Sequence, residues 1–337
     1  MPAANPTAAL AVNDIRPDEL MAGQQSAMHA DIDWLRARRD EFVAVACPAC
    51  GGVKNEPLYE KFGLEHCRCP ACATQFVCPR PDQDTLAAFY AQSANYAYWA
   101  KHVFPASKEA RRERLFKPRA ALASQLARDA GLRNPVLIEV GAAYGLFCDE
   151  AARTGAFSRV IGIEPTPDLA QICRGMGIEI IEAPYERAAP DAKADLVAAF
   201  EVIEHLFDPG AFLRWCHAML NPGGVLFLTC PNIAGFETTL LGQASGSVDH
   251  EHLNLFTPES LTGLAEKCGF ASVLIETPGE LDVDLVKRAL EEGTLDAAKL
   301  DPVLHRLLRD ADDEALQSAI KSAGMSSHMR IVARKPA

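Results

Sequence analysis

From residue 135 onwards, short apolar runs alternate with polar segments of helical length. Six runs follow one another: PVLIEV (135–140), RVIGIEP (159–165), IEIIEA (178–183), DLVAAFEV (195–202), GVLFLTCP (224–231) and ASVLIETP (271–278). A continuous apolar run is typical of a strand that is buried on both faces of a parallel sheet. The helix between the fourth and fifth runs is expected to begin at Asp208-Pro209, and the helix before the sixth at Thr257-Pro258. The pattern therefore predicts an α/β fold with a doubly wound sheet.

A seventh strand is predicted only at the end of the chain, as MRIVARKP (329–336). The charged stretch before it has helical periodicity and is expected to be an insertion that caps the acceptor site. The predicted organisation has four parts. These are an N-terminal segment 1–40, partly mobile with a helix near 31–39, a zinc-binding module 41–82, a helical connector 83–130 interrupted by Pro105 and Pro118, and a catalytic domain 131–337 with a helical cap 282–324.

Composition narrows the function classes. Hydrophobic residues make up 49% and charged residues 23% of the 337 residues, as in an ordinary globular protein. No apolar run is long enough to span a bilayer, and the first residues lack the features of a signal peptide, so we expect a cytoplasmic protein without a membrane partner. The net charge of -12 argues against a nucleic-acid partner, because phosphates must be met by lysine and arginine.

Six of the eleven cysteines lie between Cys47 and Cys78. Two pairs, Cys47/Cys50 and Cys69/Cys72, form CPAC motifs that are separated by residues 51–68. Two such turns supply the four thiolates of a tetrahedral structural Zn²⁺ site, and a redox dithiol is the alternative for a single pair. Residues 41–82 carry four basic and five acidic side chains, whereas an RNA-binding knuckle should be basic.

The first apolar run leads into a turn of small residues, 139–145, followed by a helical pattern. Such a turn lets the backbone approach a ligand. A dinucleotide fingerprint would need glycine at positions 141, 143 and 146, but the chain has Gly141, Ala143 and Leu146. The second run ends in Glu164, which is placed to accept the hydroxyls of a ribose. The two features together predict a site for an adenosyl ligand.

Three segments resemble motifs of the class I S-adenosylmethionine (SAM)-dependent methyltransferases: LIEVGAAYGLF (137–147), ADLVAAFEVIEHLFDP (194–209) and NPGGVLFLTCPN (221–232). The similarity extends over about residues 130–280 and the last strand. It departs from the family at Ala143, where a glycine is usual. The resemblance implies a seven-strand Rossmann-like fold, with Glu139 and Gly141 near the methionine, Ala183 near the adenine and Phe200 beside the cofactor. The expected SAM contacts are Glu139, Gly141, Ala142, Ala143, Tyr144, Gly145, Glu164, Pro165, Ala183, Phe200 and Glu201.

An alcohol acceptor needs a base, and histidine is the usual base near neutral pH. In an open α/β sheet, ligands bind beyond the carboxyl ends of the parallel strands, where the DHEH segment (249–252) should emerge. We predict His252 as the base, with His250 second. Glu201, Glu204 and His205 are an alternative site for a divalent ion, as in the ubiquinone-pathway O-methyltransferases that share this motif.

The segment CRCPACATQFVCPRP (67–81) resembles bacterial methyltransferases of sugar and surface-polysaccharide pathways. This resemblance implies O-methylation of a nucleotide sugar or glycan precursor. Tyr96, Tyr98 and Trp99 could stack on a sugar, with Arg111 or Arg112 on a phosphate, but the sequence favours a packed helix with a solvated basic face. The alternatives are C-methylation of a sugar, O-methylation of a phenol, or a non-catalytic protein of the same fold that binds other proteins.

Overall fold

The computed structural model describes residues 10–337. The strands, in chain order, are β1 Glu56–Lys61, β2 Leu64–Arg68, β3 Gln75–Val77, β4 Val136–Val140, β5 Arg159–Ile163, β6 Glu179–Ile181, β7 Ala194–Phe200, β8 Leu220–Pro231, β9 Asn254–Leu255, β10 Ala271–Glu276 and β11 His328–Arg334. The α-helices are α1 Val12–Ile15, α2 Asp18–Arg36, α3 Gln83–Gln92, α4 Ala94–Tyr98, α5 Phe104–Arg111, α6 Lys117–Asp129, α7 Leu146–Arg153, α8 Pro167–Gly175, α9 Pro209–Met219, α10 Phe236–Leu241, α11 Pro258–Lys267, α12 Asp282–Glu291, α13 Pro302–Asp310 and α14 Asp313–Ser322.

The seven predicted strands form one sheet in the order β10-β11-β8-β7-β4-β5-β6. The pairs from β6 to β8 are parallel, whereas β11 is antiparallel to both β8 and β10. Strand β8 begins at Leu220, four residues before the predicted run. The α/β fold with a seven-strand sheet is thereby confirmed, and the start of β11 lies at the edge where β4, β5, β7 and β8 end.

Both faces of this sheet are covered, as the continuous apolar runs require. Helices α6 and α7 pack on one face through a cluster that includes Phe147, Phe200 and Phe227. Helices α9 and α11 cover the other face, and both begin at the predicted residues: the side chains of Asp208 and Thr257 accept hydrogen bonds from the first turns. These caps satisfy backbone N–H groups that have no partner within the helix.

The cysteine-rich segment, residues 41–82, forms a small antiparallel sheet rather than a separate body. Its strand order is β1-β2-β3-β9, and β9 belongs to the loop 232–256 that follows β8. Arg80 is fully buried at this junction, where its guanidinium donates to the carbonyl of Val77 and to the side chain of Asn254. The module therefore forms hydrogen bonds with the loop 232–256 and shares a hydrophobic cluster with one face of the large sheet.

The N-terminal helices differ from the prediction. Helix α2 runs over Asp18–Arg36, far longer than the helix expected near 31–39, and its buried residues include Ile32 and Leu35. The remainder of the predicted mobile start, residues 1–9, lies outside the described residues. Pro105 and Pro118 do not interrupt the connector with coil. Each directly follows a π-helical turn, and the helical run continues through both prolines from residue 94 to residue 129.

None of the helices in residues 10–337 combines the length and the apolar character that crossing a membrane requires.

Candidate functional site

A cavity of about 940 Å³ opens at the carboxyl edge of the large sheet. It is bounded by the ends of β4, β7 and β8, the loop 232–256, the start of β11 and helix α12. The N-terminal helices and the connector supply the opposite wall, including Gln24, Asn95 and Trp99. Helix α12 is thus the part of the predicted cap 282–324 that reaches the cavity, while α13 and α14 contribute no lining residue.

Seven of the eleven residues predicted to contact SAM line this cavity: Glu139, Gly141, Ala142, Ala143, Tyr144, Phe200 and Glu201. The other four, Gly145, Glu164, Pro165 and Ala183, lie outside its lining, although they share the same sheet edge. The backbone turns sharply here, with φ values of +77° at Gly141, +46° at Ala143 and +69° at Gly145. Ala143 thus occupies the left-handed region, which explains why the family usually has glycine at this position.

Glu164 ties the second strand to this turn. One carboxylate oxygen accepts a 2.8 Å hydrogen bond from the N–H of Ala143, and the other a 2.9 Å bond from the N–H of Thr166. Each oxygen has a further lone pair, so the carboxylate can still accept from two ribose hydroxyls. Burial raises the pKa of Glu164, and the two N–H donors oppose this shift. The residue fits the role that the sequence predicts.

Glu139 is buried beneath the turn, where the thiol of Cys148 donates to its carboxylate at 2.9 Å. Burial raises the pKa of Glu139 to about 8, so that a nearby cation would favour its ionised form. This carboxyl group fits a site for the ammonium group of SAM.

Glu204, His205 and His252 bring one carboxylate and two imidazole groups within 4.8 Å of one another. The rings of His205 and His252 are 4.6 Å apart, nearly perpendicular. Glu204 is fully buried, and its carboxylate oxygens have no hydrogen-bond partner among the described residues. Burial and the charge of Glu201 raise the pKa of Glu204 well above its usual range. Burial and His252 lower the pKa of His205 to about 3.

The orientation of His252 is fixed by its own loop. Its Nδ1 lies 2.8 Å from the carbonyl oxygen of Ser247, and because a carbonyl can only accept, Nδ1 carries the proton. Nε2 is therefore the unprotonated atom of the neutral ring and lies 3.7 Å from a carboxylate oxygen of Asp249. This arrangement leaves Nε2 able to take a proton.

His250 has a different environment. It is buried, and its Nε2 lies 3.4 Å from a carboxylate oxygen of Glu251 and 3.8 Å from one of Asp31. Although burial opposes it, contact with Asp31 and the charge of Glu251 raise the pKa of His250. Two neighbouring acids favour the protonated form of His250, which makes it less available as a proton acceptor, so the geometry favours His252.

Glu201 does not join Glu204 and His205, in contrast to the ligand set considered from the sequence. Its carboxylate accepts from His328 Nε2 at 2.8 Å and from the hydroxyl of Thr229 at 2.6 Å. Burial would raise its pKa, but His328 and Arg119 hold it well below the usual range. The third member of the cluster is His252 instead of Glu201, because the loop 232–256 brings His252 next to His205.

The aromatic and basic residues of the connector divide between two environments. Tyr96, Trp99 and Arg111 line the cavity, whereas the hydroxyl of Tyr98 donates to the carbonyl of Leu20 in α2. Arg112 points away from the cavity and pairs with Asp149 and Glu150. The hypothesis that Arg112 contacts a phosphate is therefore wrong.

The four predicted zinc ligands, Cys47, Cys50, Cys69 and Cys72, converge with their Sγ atoms within 4.8 Å of one another. The Cys47–Cys72 and Cys50–Cys69 sulfur pairs are 3.5 and 3.4 Å apart, close to the ~3.8 Å edge of a tetrahedral zinc–thiolate site. Burial raises the pKa values of Cys47 and Cys50, whereas the N–H groups of Ala71 and Cys72 lower the pKa of Cys69 to about 7 against the effect of burial. The convergence of four sulfur atoms fits Zn²⁺. Cys67 and Cys78 lie outside this cluster.

Sequence reasoning missed the part of the cavity wall that α1 and α2 form. Leu10, Ile15, Arg16, Met21, Gln24, Gln25 and Met28 all line it. The only sequence signal was the spacing of Met21, Gln24, Gln25 and Met28 on one helical face, which does not show what that face contacts.

The chain matches the family described as "Methyltransferase domain" over residues 107–275, just over half of its length. Among curated proteins it is similar to the ubiquinone biosynthesis O-methyltransferases of Bradyrhizobium sp. (strain ORS 278) and Cereibacter sphaeroides (strain KD131). The Bradyrhizobium protein is 32% identical, over 40% of this chain and 56% of its own length. The Cereibacter protein is 28% identical, over 45% of this chain and 68% of its own length. The chain thus spans little more than half the length of the first of these relatives.

Among solved structures, the fold is similar to a chain from the complex of the Haloferax volcanii Trm112 methyltransferase activator with a methyltransferase. That match has a TM-score of 0.50 and 15% identity, and covers 72% of this chain and 98% of the other. At this identity the likeness shows the fold alone. Family membership, the sheet order and the O-methyltransferase relatives agree with one another. The chain therefore belongs to the methyltransferase-domain family.

Proposed function

We propose that the protein transfers a methyl group from SAM to a hydroxyl group of a small acceptor that binds in the cavity. The observation that carries this proposal is that His252 and residues 141–144 of the cofactor turn line the same cavity. Bound SAM supplies an electrophilic methyl group, so the protein has to position the acceptor and remove its proton. Glu139 holds the ammonium group of the cofactor, and Glu164 holds its ribose.

His252 is the proposed base. Its Nδ1–H is held by the carbonyl of Ser247, which leaves Nε2 with a free lone pair, and His252 lines the cavity. When Nε2 takes the acceptor proton, the imidazolium that forms is stabilised by Asp249, whose carboxylate is 3.7 Å away. His205 cannot replace it efficiently, because a group with a pKa of about 3 is a weak base near neutral pH.

One observation favours a second mechanism. The buried carboxylate of Glu204 lacks hydrogen-bond partners among residues 10–337 and lies beside two imidazoles, a ligand set that suits a divalent transition metal. Glu204, His205 and His252 would hold the ion, which would lower the pKa of an acceptor hydroxyl. The two mechanisms exclude each other at His252, since a nitrogen that binds a metal cannot also accept a proton. Calorimetric titration of the purified protein with Mn²⁺ distinguishes them.

The zinc-binding role of the cysteine module is also a proposal. Four thiolates leave no open coordination position, so the ion would be structural. Strand pairing between β3 and β9 supports a specific effect, namely that the metal holds the loop 232–256 in place.

Two acceptor classes follow from different observations. The names of the relatives favour a phenolic hydroxyl, whereas the polar and charged wall formed by Gln24, Asn95 and Arg111 favours a sugar hydroxyl. We propose the hydroxyl of a nucleotide sugar or glycan precursor. The comparisons give this choice no support beyond O-methylation.

The test uses SAM with a ¹³C-labelled methyl group, which is incubated with the full chain and panels of nucleotide sugars and catechols. Carbon-13 NMR of the product separates an O-methyl from a C-methyl group, and the responding panel names the acceptor class. Label on the hydroxyl of a nucleotide sugar supports the proposal. Label on carbon contradicts O-methylation, and label on catechols alone contradicts the sugar.

A further inference from the structure

Three arginine side chains line the part of the cavity wall that is formed by α1, α5 and the residues that follow each of them. They come from separate parts of the sequence. Arg16 follows α1, Arg111 ends α5, and Arg114 lies one helical turn beyond Arg111. Within residues 10–337, none of their guanidinium nitrogens lies within 4.0 Å of a carboxylate oxygen. Arg111 and Arg114 are partly buried, and Arg16, although exposed, lies close enough to Arg111 to lower its pKa.

Arg111 is the best positioned of the three. Its Nη2 donates to the carbonyl of Ile15 at 2.8 Å and its Nε to the hydroxyl of Ser107 at 2.9 Å. The guanidinium lies 4.8 Å from the ring centre of Phe104 and 5.5 Å from that of Trp99. These contacts fix the plane of the group while leaving the Nη1 hydrogens and one Nη2 hydrogen free.

The positive charges oppose one another. Burial and the neighbouring charges of Arg16 and Arg119 lower the pKa of Arg111 to about 10, which still leaves it ionised at neutral pH. A buried cation without a counter-charge is costly, and the cost is relieved when an anion binds.

Three of the acidic residues that line the cavity have other hydrogen-bond partners. Glu201 accepts from His328 and Thr229, Glu237 from Ser245, and Glu251 from Asn95. Burial raises the pKa of Glu237 to about 7, so it carries only part of a negative charge near Arg16. The arginine wall is therefore not neutralised from within the protein.

We infer that Arg16, Arg111 and Arg114 bind a phosphoryl group of the acceptor, which makes the substrate a phosphorylated small molecule. Guanidinium groups match phosphate oxygens in pairs of hydrogen bonds. Three of them suit a group with two negative charges, whereas a single carboxylate needs only one. This inference rests on the proposed function, because the same cavity must hold the acceptor, and it selects phosphorylated hydroxyl compounds such as nucleotide sugars.

Calorimetry with inorganic pyrophosphate tests the site on the full chain saturated with S-adenosylhomocysteine. We expect binding that weakens as salt rises, and a loss of about tenfold or more in Arg16→Gln and in Arg111→Gln. Arg306→Gln is the matched control, because Arg306 is an exposed arginine on α13, outside the cavity lining. A thermal melt of each variant shows whether it is folded. If Arg111→Gln does not fold, Arg16→Gln alone tests the site. Its fold should be unaffected because the guanidinium of Arg16 makes no hydrogen bond among the described residues.

Three results would overturn the inference: no pyrophosphate binding at millimolar concentration, equal binding by Arg16→Gln and Arg306→Gln, or equally tight binding of malonate. Malonate carries two carboxylates and would show a general anion site. Binding of S-adenosylhomocysteine is measured first in the same instrument. If the product fails to bind, the proposed function fails; if it binds and pyrophosphate does not, only the phosphoryl site fails.

Discussion

The N–H of Val77, in the last strand of the cysteine module, donates a 3.0 Å hydrogen bond to the carbonyl of Leu253, the neighbour of His252. The proposed zinc site and the proposed base are thus joined by continuous backbone pairing through β3 and β9. A change at the metal site should therefore reach the chemistry without passing through the cofactor turn.

We predict that Cys69→Ser loses its zinc and lowers the Tm by roughly 5–10 °C, because ligand binding and folding of the module are coupled. Turnover should fall more than affinity for SAM, since the loop 232–256 loses its anchor. Elemental analysis, thermal melts and calorimetry measure the three effects. Cys67→Ser is the matched control in the same module and should keep its zinc. A Cys69→Ser protein with full zinc content would contradict the proposed zinc site in this module.

The second prediction concerns Glu164. Replacement by alanine removes the acceptor for two ribose hydroxyls and for the N–H of Ala143. Hydrogen bonds to a charged group contribute about 1.5–3 kcal/mol, so SAM affinity should fall roughly ten- to a hundredfold. Calorimetry measures it, and Glu182→Ala provides the control, since Glu182 is an exposed acid that pairs only with Arg174 among the described residues. Equal affinities in the two variants would show that the ribose binds elsewhere.

The central strands β4, β7 and β8 were predictable from sequence because most of their residues are buried, so that each reads as a continuous apolar run. The edge strand β10, in contrast, has only exposed and half-buried residues. The helix starts at Asp208 and Thr257 were predictable for a local reason, namely the cap followed by proline. The four zinc ligands also depend on local spacing. These features require no knowledge of distant contacts.

The cavity wall could not be predicted in the same way, because it depends on which distant segments meet. Arg16 contributes to the cavity only because α1 packs near α5, almost a hundred residues later. Glu201 and Glu204 are three residues apart, yet they face different partners: Glu201 sits at φ +55° after β7 and turns towards His328. Sequence spacing suggested one ligand set where the fold makes two environments.

The third prediction is a pH dependence in the ligand-free protein. Burial raises the pKa of Glu139 from an ordinary value near 4.5 to about 8. Between these values the unfolded chain loses the proton while the folded chain keeps it, so the unfolded state gains stability as pH rises. The contribution of Glu139 to the free energy of unfolding is therefore constant below about pH 4.5, decreases between about pH 4.5 and pH 8, and is constant again above about pH 8. Glu139→Gln should therefore show a smaller loss of Tm than the parent between pH 5 and pH 8.

The control for this comparison is Glu179→Gln, because Glu179 is exposed and pairs with Arg159 at the sheet edge. Parallel melting curves for the parent and Glu139→Gln over the whole range would contradict the buried-acid explanation. Glu139→Gln should also bind SAM more weakly, since a neutral amide replaces the carboxylate that faces the cofactor ammonium.

The last prediction separates the base from the metal ligand at His252. If His252 is the base, the His252→Ala variant should keep its SAM affinity while its turnover falls by roughly 10²–10⁴-fold. Because His252 Nδ1 is held by Ser247, His252→Gln can preserve the loop through its amide while removing the proton acceptor, and it should be as inactive as His252→Ala. His217→Ala is the control, a histidine on α9 packed against Phe270. Loss of SAM binding in both His252 variants would indicate a structural role. Loss of Mn²⁺ binding together with activity would assign His252 to a metal, and full activity in His252→Gln would exclude both roles.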